Sequence, residues 1–321
     1  ALMNNWIKSR ILSFVEKAKD TFKRQRPSKD DQEKSLWINC PGCKNMQLKE
    51  DLLKDFNICK CNFHFDLDPK IKFEKLLFDN EEWEYIHCPS WSDPDPLNFT
   101  VNGKKFIDKY KNYQKKTGQE SALLIGHGKI GGLNAVAVGY NFSFGGAAFS
   151  QRENEHFLAG VQFALDNKVD LFVSIYQSGG KSVFGNLNSL KSMSTVQMAH
   201  TMLKKKNIVN CGILESKITG GTFVDVFGND FLFSIKGSTD QLFSGKRVSE
   251  SVRSSDSAQM PEDFGGSSFL ERSGMCDGII ESRLKMKEKI VTLTKVLLKK
   301  AEAQAKNESN VSVPQPISSA S

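Results

Sequence analysis

Four cysteines are the first residues in this sequence whose type and spacing could do chemistry. Cys40-Pro-Gly-Cys43 carries a two-residue spacer, and Cys59-Lys-Cys61 follows with a one-residue spacer. Cysteine pairs at this separation match zinc-ribbon spacing, in which each pair sits on a tight turn and all sulfurs face one tetrahedral ion. Pro41-Gly42 suits the first turn. Because the second pair is one residue short, three outcomes stay open: zinc on Cys40, Cys43, Cys59 and Cys61, zinc with His64 replacing a thiolate, or no metal. A four-ligand structural zinc has no open position, so this module is not the expected site of catalysis. A redox role for the CxxC is disfavoured, since no strand leads into it.

The second candidate is a repeated turn. Ser178-Gly179-Gly180 and Thr219-Gly220-Gly221 each follow a predicted strand and precede a predicted helix. Adjacent glycines let the chain turn sharply and leave successive N–H groups exposed, where they can hold an anion or a developing oxyanion. The plain alternative is two tight turns with no further role. No G-x-x-x-x-G-K-[ST] or G-x-G-x-x-G pattern supports nucleotide binding. Ser178 also lacks the G-x-S-x-G elbow of a serine hydrolase.

The elements that must position these residues are readable from periodicity. Residues 117–306 alternate strands with helices. Two β-runs meet at Gly131-Gly132, a helix covers ENEHFLAGVQFALDN, and VDLFVSIY and NIVNCGILE read as buried strands around a helix in LNSLKSMSTVQMAHTMLKK. This predicts an α/β core with parallel pairing. A long helix follows in KMKEKIVTLTKVLLKKAEAQAK. Before the core, residues 1–35 hold an amphipathic basic helix and a charged linker, 36–66 the zinc-ribbon module, and 67–116 a polar connecting segment containing HCPSWSDPDPLNF, whose prolines and aspartates exclude regular structure. Residues 307–321 form a polar tail, expected to be disordered.

Composition bounds the function. The 321 residues are 39% hydrophobic and 25% charged, as in ordinary globular proteins, with a net charge of +7. No apolar run reaches the ~18 residues of a membrane span. The start, ALMNNWIKSRIL, lacks the apolar core of a signal peptide, so the seven cysteines are expected in a reducing compartment, as metal ligands or free thiols. Basic residues concentrate near both ends; they read as solvated helix faces or, alternatively, as a nucleic-acid footprint beside the ribbon.

The blocks WINCPGC, DPLNF, QKKTG, GKIGG, SGG, TGG, FSGKRV, MPEDF and SGMCDGII occur in this order. Over roughly residues 36–300 the chain thereby resembles the carboxyltransferase β subunit of bacterial and plastid acetyl-CoA carboxylase. The resemblance implies a crotonase-like core of ββα units, located in the cytoplasm or plastid stroma. It implies transfer of a carboxyl group from biotin, on its carrier protein, to a coenzyme A thioester, acetyl-CoA, giving malonyl-CoA for fatty acid synthesis. It further implies a homologous α subunit in an α2β2 assembly, and a separate biotin carboxylase component. The oxyanion role falls by this resemblance on Gly179, Gly180, Gly220 and Gly221. The family usually continues SGG with Ala-Arg-Met-Gln-Glu-Gly, whereas this chain has Lys181 to Asn186, and its Gly145–Ser150 block is also altered. A β-like subunit retained for assembly, with weak activity, is the variant reading.

Overall fold

The computed structural model describes residues 36–245, 249 and 261–310. The helix expected over residues 4–24 lies outside them, as do residues 311–321. The chain divides after Phe63 into two compact units, close to the expected end of the cysteine module at residue 66.

In the N-terminal unit, β1 (Trp37–Asn39) pairs antiparallel with β2 (Met46–Leu48), and α1 (Lys49–Lys54) follows; a strand thus does lead into Cys40, contrary to the sequence expectation, but a second strand and not a helix comes after Cys43. The loop joining the strands is closed by Lys44 N–H donating to the Cys40 carbonyl at 2.8 Å, with Lys44 at φ 63°.

The second unit is built on an eight-stranded mixed sheet. Its order is β12 (Gly278–Ile280), β10 (Phe231–Ile235), β9 (Val209–Thr219), β8 (Leu171–Ser178), β7 (Leu133–Tyr140), β6 (Leu123–Ile130) and β3 (Trp83–Tyr85), with β11 (Gln241–Leu242) beside the end of β9. Pairing from β7 to β12 is parallel, and β6 is antiparallel to both its neighbours. The β6–β7 hairpin turns at Gly131-Gly132, both at positive φ, as the sequence predicts; their N–H groups donate to the Asp79 carboxylate at 2.9 and 2.8 Å.

Alternation along the strands separates two cores. Ile125, Val136, Val138, Phe172 and Tyr176 face one side, where Phe157, Val161 and Ala164 of α3 (Gln151–Asp166) and Val196, Ala199 and Leu203 of α4 (Asn186–Lys205) cover them. Leu124, Ala135, Ala137, Val173 and Ile175 face the other, against Phe73, Leu77 and Phe78 and against Met286 and Ile290 of α7 (Met286–Asn310). Each of the buried Val, Leu, Ile, Phe and Met side chains contributes about 1.5–3 kcal/mol of transfer free energy. Ser150 starts α3 through a capping box with Glu153.

Residues 87–99 hold no helix or strand, as their prolines and aspartates predict, while the rest of the connecting segment is ordered. Asn102-Gly103, both at positive φ, turn the two-residue strands β4 (Thr100–Val101) and β5 (Lys104–Lys105), and α2 (Phe106–Thr117) follows. Asn-Gly is a hairpin signal; it lies in a stretch whose flanking prolines mask it. Two further short helices are α5 (Gly221–Asp225) and α6 (Ser267–Arg272). No helix among the described residues is long and apolar enough to cross a membrane.

Candidate active site and metal centre

The four cysteines converge. Their sulfurs all lie within 4.8 Å of one another, with Cys40 to Cys61 at 3.6 Å and Cys43 to Cys59 at 3.8 Å. Zinc–sulfur bonds of about 2.3 Å place tetrahedral sulfurs about 3.8 Å apart, so the set fits a zinc ion. The short second spacer is absorbed by Asn62 at φ 67°, which donates its N–H to the Cys59 carbonyl at 2.7 Å. Gly42 matters at the same place, since a Cβ there would lie 3.3 Å from the Cys61 sulfur. His64 is not part of the cluster. It is buried in the second unit near Glu215 and Arg283, where burial first and the Arg283 charge second push its pKa down to about 4.

The two glycine pairs also converge, because β8 and β9 are parallel neighbours with Ser178 opposite Ile218. The Thr219 hydroxyl donates to the Gly179 carbonyl at 3.0 Å. A Cβ on Gly180 would lie 3.1 Å from the Thr219 oxygen, and one on Gly220 would lie 3.3 Å from the Gly180 Cα. The turns are in direct contact, which only glycine allows at φ +114° and +65°.

Three of their four N–H groups have partners within the protein. Gly179 donates to the Gly146 carbonyl at 2.8 Å, Gly180 to the Ser178 hydroxyl at 3.0 Å, and Gly220 to the Phe243 carbonyl at 2.9 Å. These three hydrogen bonds brace the turns. Gly221 opens the short helix α5.

A cavity of about 210 Å³ lies beside the first turn. Ala148 and Lys181 are on its wall, with Phe106, Tyr113, Phe144 and Phe184. Phe149 donates its N–H to the Gly180 carbonyl at 2.9 Å, and Ser182 donates to the Phe149 carbonyl at 2.8 Å. This small parallel bridge leaves the backbone N–H groups of Ala148 and Lys181, which flank it, without a partner among the described residues. Sequence reasoning missed both. The signal was the Gly145-Gly146 turn, whose φ values of 60° and 76° bring Ala148 alongside the SGG turn.

Residues 95–319 match the carboxyl transferase domain family. The chain belongs to this family. A Pelagibacter ubique protein described as acetyl-coenzyme A carboxylase carboxyl transferase subunit beta is 32% identical over 96% of each chain. A Sulfurihydrogenibium protein of the same description is 30% identical over 88% of this chain and 97% of its own. Among solved structures, a transcarboxylase 12S chain aligns with TM-score 0.53 at 18% identity, covering 71% of this chain and 40% of that one. A Pseudomonas malonate decarboxylase hetero-tetramer aligns with TM-score 0.53 at 14% identity, over 77% and 90%. The core therefore has the crotonase-like α/β fold that the sequence predicts.

This carboxyl transferase chain carries a buried ion pair at the junction of its turns. Lys181 Nζ pairs with the Asp225 carboxylate and lies 4.0 Å from the centre of the Phe149 ring. Burial pushes the Lys181 ammonium down and the Asp225 carboxyl up to about 6, while their mutual attraction pulls each back. A Cβ on Gly221 would lie 2.8 Å from Lys181 Cγ, so that glycine makes room for the lysine.

Proposed function

We propose that this chain is the β subunit of an acetyl-CoA carboxylase carboxyltransferase, moving a carboxyl group onto acetyl-CoA to form malonyl-CoA. The observation that carries the reading is that Ala148 and Lys181, whose backbone N–H groups have no partner among the described residues, both line the cavity beside the glycine turns. Removing an α-proton from a thioester puts negative charge on its carbonyl oxygen. Two fixed N–H donors aimed at that oxygen stabilise the charge, each typically worth about 3 kcal/mol. The glycine pairs hold those donors in place, and Gly221 keeps a donor role of its own in this reading.

Carrier-borne biotin supplies the carboxyl group and takes back the proton. The chain's own part is to bind the thioester, fix its carbonyl and exclude water. With carboxybiotin bound, breaking its carbon–nitrogen bond would release carbon dioxide, the freed ureido nitrogen would take the α-proton, and the enolate α-carbon held here would bond to the carbon dioxide, so that atoms and charge balance.

In this reading a homologous α subunit completes the site in an α2β2 assembly, and the cysteine cluster carries a structural zinc. The test is reconstitution from acetyl-CoA, bicarbonate and ATP with biotin carboxylase, carrier protein and α subunit. Malonyl-CoA forming only when this chain is present supports the reading; its absence in a fully assembled mixture contradicts it.

A further inference from the structure

The two glycine turns stand level because the β8–β9 ladder is interrupted just before them. Tyr176 of β8 lies opposite Leu214 of β9, but Ser178 lies opposite Ile218. One β8 residue, Gln177, therefore faces three β9 residues, Glu215, Ser216 and Lys217, and the numbering difference between partners grows from 38 to 40. An unbroken ladder continued from Tyr176 and Leu214 would put Ile218 opposite Gly180, with Gly220 two residues further on. The bulge removes that lag and sets Gly220 against Gly180. A Cβ on Gly220 would lie 3.3 Å from the Gly180 Cα and 4.0 Å from the Lys181 nitrogen. Bulges beside reactive centres re-aim a strand end in this way.

The interruption needs support, since Ser216 stands at φ 60°, a strained conformation for a residue with a Cβ. Ser216 donates its N–H to the Ser238 hydroxyl at 3.1 Å, and Gln241 Nε2 donates to the Leu214 and Ser216 carbonyls at 3.3 and 3.2 Å. Glu215 reaches a separate set of groups. Its carboxylate pairs with Lys72 Nζ and lies 3.0 Å from Arg283 Nε, and all three side chains are buried. Arg283 also donates to the Phe65 carbonyl at 2.7 Å, while Gln177, opposite the bulge, donates to the Asp66 carboxylate. Burial pushes the Glu215 carboxyl up, but the Arg283 and Lys72 charges outweigh it and hold the group below the usual carboxylate range. A slip of β9 would pull this anion off both cations and leave the charges uncompensated in the interior. Fixing register is the best-attested use of a buried ionic group.

We infer that Glu215 is a positioning residue for carboxyl transfer: clamped by Lys72 and Arg283, it locks the strand offset that holds Gly220 against Gly180 and so aims the Lys181 amide. Glu215 acts through the turns. The inference rests on the carboxyltransferase reading for the reaction, but the offset itself is read without turnover.

The test compares wild type, Glu215→Gln and Lys72→Met/Glu215→Leu, each as the full chain assembled with an α subunit. Glu215→Gln keeps the size of the side chain and strands two buried cations. The double variant removes one charge of each sign and leaves Arg283 near the Asp66 carboxylate. It should melt within a few degrees of wild type, because apolar replacement of a buried pair is often neutral. In both variants kcat for transfer from malonyl-CoA to biocytin should fall about 10²-fold, as a misplacement of about 1 Å does, with KM changed by less than about twofold. Amide exchange followed by mass spectrometry should quicken about tenfold across residues 214–221 in the double variant, while residues 171–177 stay protected. Wild-type kcat in Glu215→Gln, or a double variant that keeps its turnover and its slow exchange, would overturn the inference. So would a loss confined to KM, or exchange that quickens evenly through all strands of the double variant. Exchange responding as expected in an assembly whose wild type transfers no carboxyl group sinks the enzymatic reading and leaves the lock standing. Normal transfer in all three proteins sinks the lock alone.

Discussion

Lys181 and Asp225 pair in the interior, their side chains 4% and 0% exposed, and so tie the turn after β8 to the short helix after β9. Removing one partner leaves a buried charge uncompensated. Lys181→Ala should therefore cost about 3–5 kcal/mol of stability by itself. Lys181→Ala/Asp225→Ser should cost far less than the sum of the two single changes. Urea unfolding of the four proteins measures the coupling; additive losses would show that the pair does not hold the turns together.

The cysteine cluster yields a second prediction. Purified chain should hold about one zinc, and Cys43→Ser should lose it together with the order of residues 36–63. Structural zinc binding is worth about 10–16 kcal/mol in isolated finger peptides and is folding energy there. The sheet of the second unit has its own two cores and should persist. Elemental analysis and circular dichroism of wild type and variant decide this, and a zinc-free, fully ordered N-terminal unit would contradict it.

Gly180→Ala should lower turnover far more than coenzyme A affinity. A Cβ at φ +114° and 3.1 Å from the Thr219 oxygen costs roughly 1–3 kcal/mol and moves the neighbouring Lys181 amide. Losing one oxyanion donor typically costs about 10²–10³ in kcat. Gly132→Ala is the control: its φ is +82°, yet nothing lies within 4 Å of a Cβ there. It should carry a backbone cost and keep its turnover. Equal turnover in both variants would return the SGG turn to a purely structural role.

Much of this was legible in the sequence, for identifiable reasons. Strands such as Leu171–Ser178 are buried on both faces and read as apolar runs, and the Gly131-Gly132 hairpin announces its own turn. The glycine pairs were visible because close approach demands their residue type. What sequence could not give was the destination of each N–H. Gly179 spends its amide on Gly146, which lies far from it in sequence, and only the parallel bridge between Phe149 and Lys181 shows which amides remain. His64 likewise has ligand-like spacing, but burial beside Arg283 takes it out of the cysteine cluster. The β4–β5 hairpin and α2 were missed because the prolines and aspartates just before them dominate the local composition.

Acid should destabilise the fold above the range of its carboxylates. His64, His156 and His200 are buried, and burial pushes each down to about 4 from an ordinary 6.5. His156 is held neutral between the Ser121 hydroxyl at 3.1 Å and the Ile86 carbonyl at 2.9 Å. The unfolded chain takes up protons below 6.5 that the folded chain refuses. Their contribution is thus complete above pH 6.5 and is lost as pH falls towards 4, by up to about 3 kcal/mol per histidine. Melting temperatures between pH 7 and 4.5 should fall for wild type and fall less steeply for His156→Gln. Parallel slopes would contradict the assignment.

The central claim, that this chain holds a coenzyme A thioester while a carboxyl group moves on or off it, is tested most directly by the reverse reaction. The chain is assembled with an α subunit, and malonyl-CoA consumption is followed with free biocytin as carboxyl acceptor. The account predicts biocytin-dependent conversion of malonyl-CoA to acetyl-CoA that requires both subunits and drops by about 10²–10³ in Gly180→Ala. An assembled complex that consumes no malonyl-CoA, or a rate that is the same with this chain left out, would contradict it.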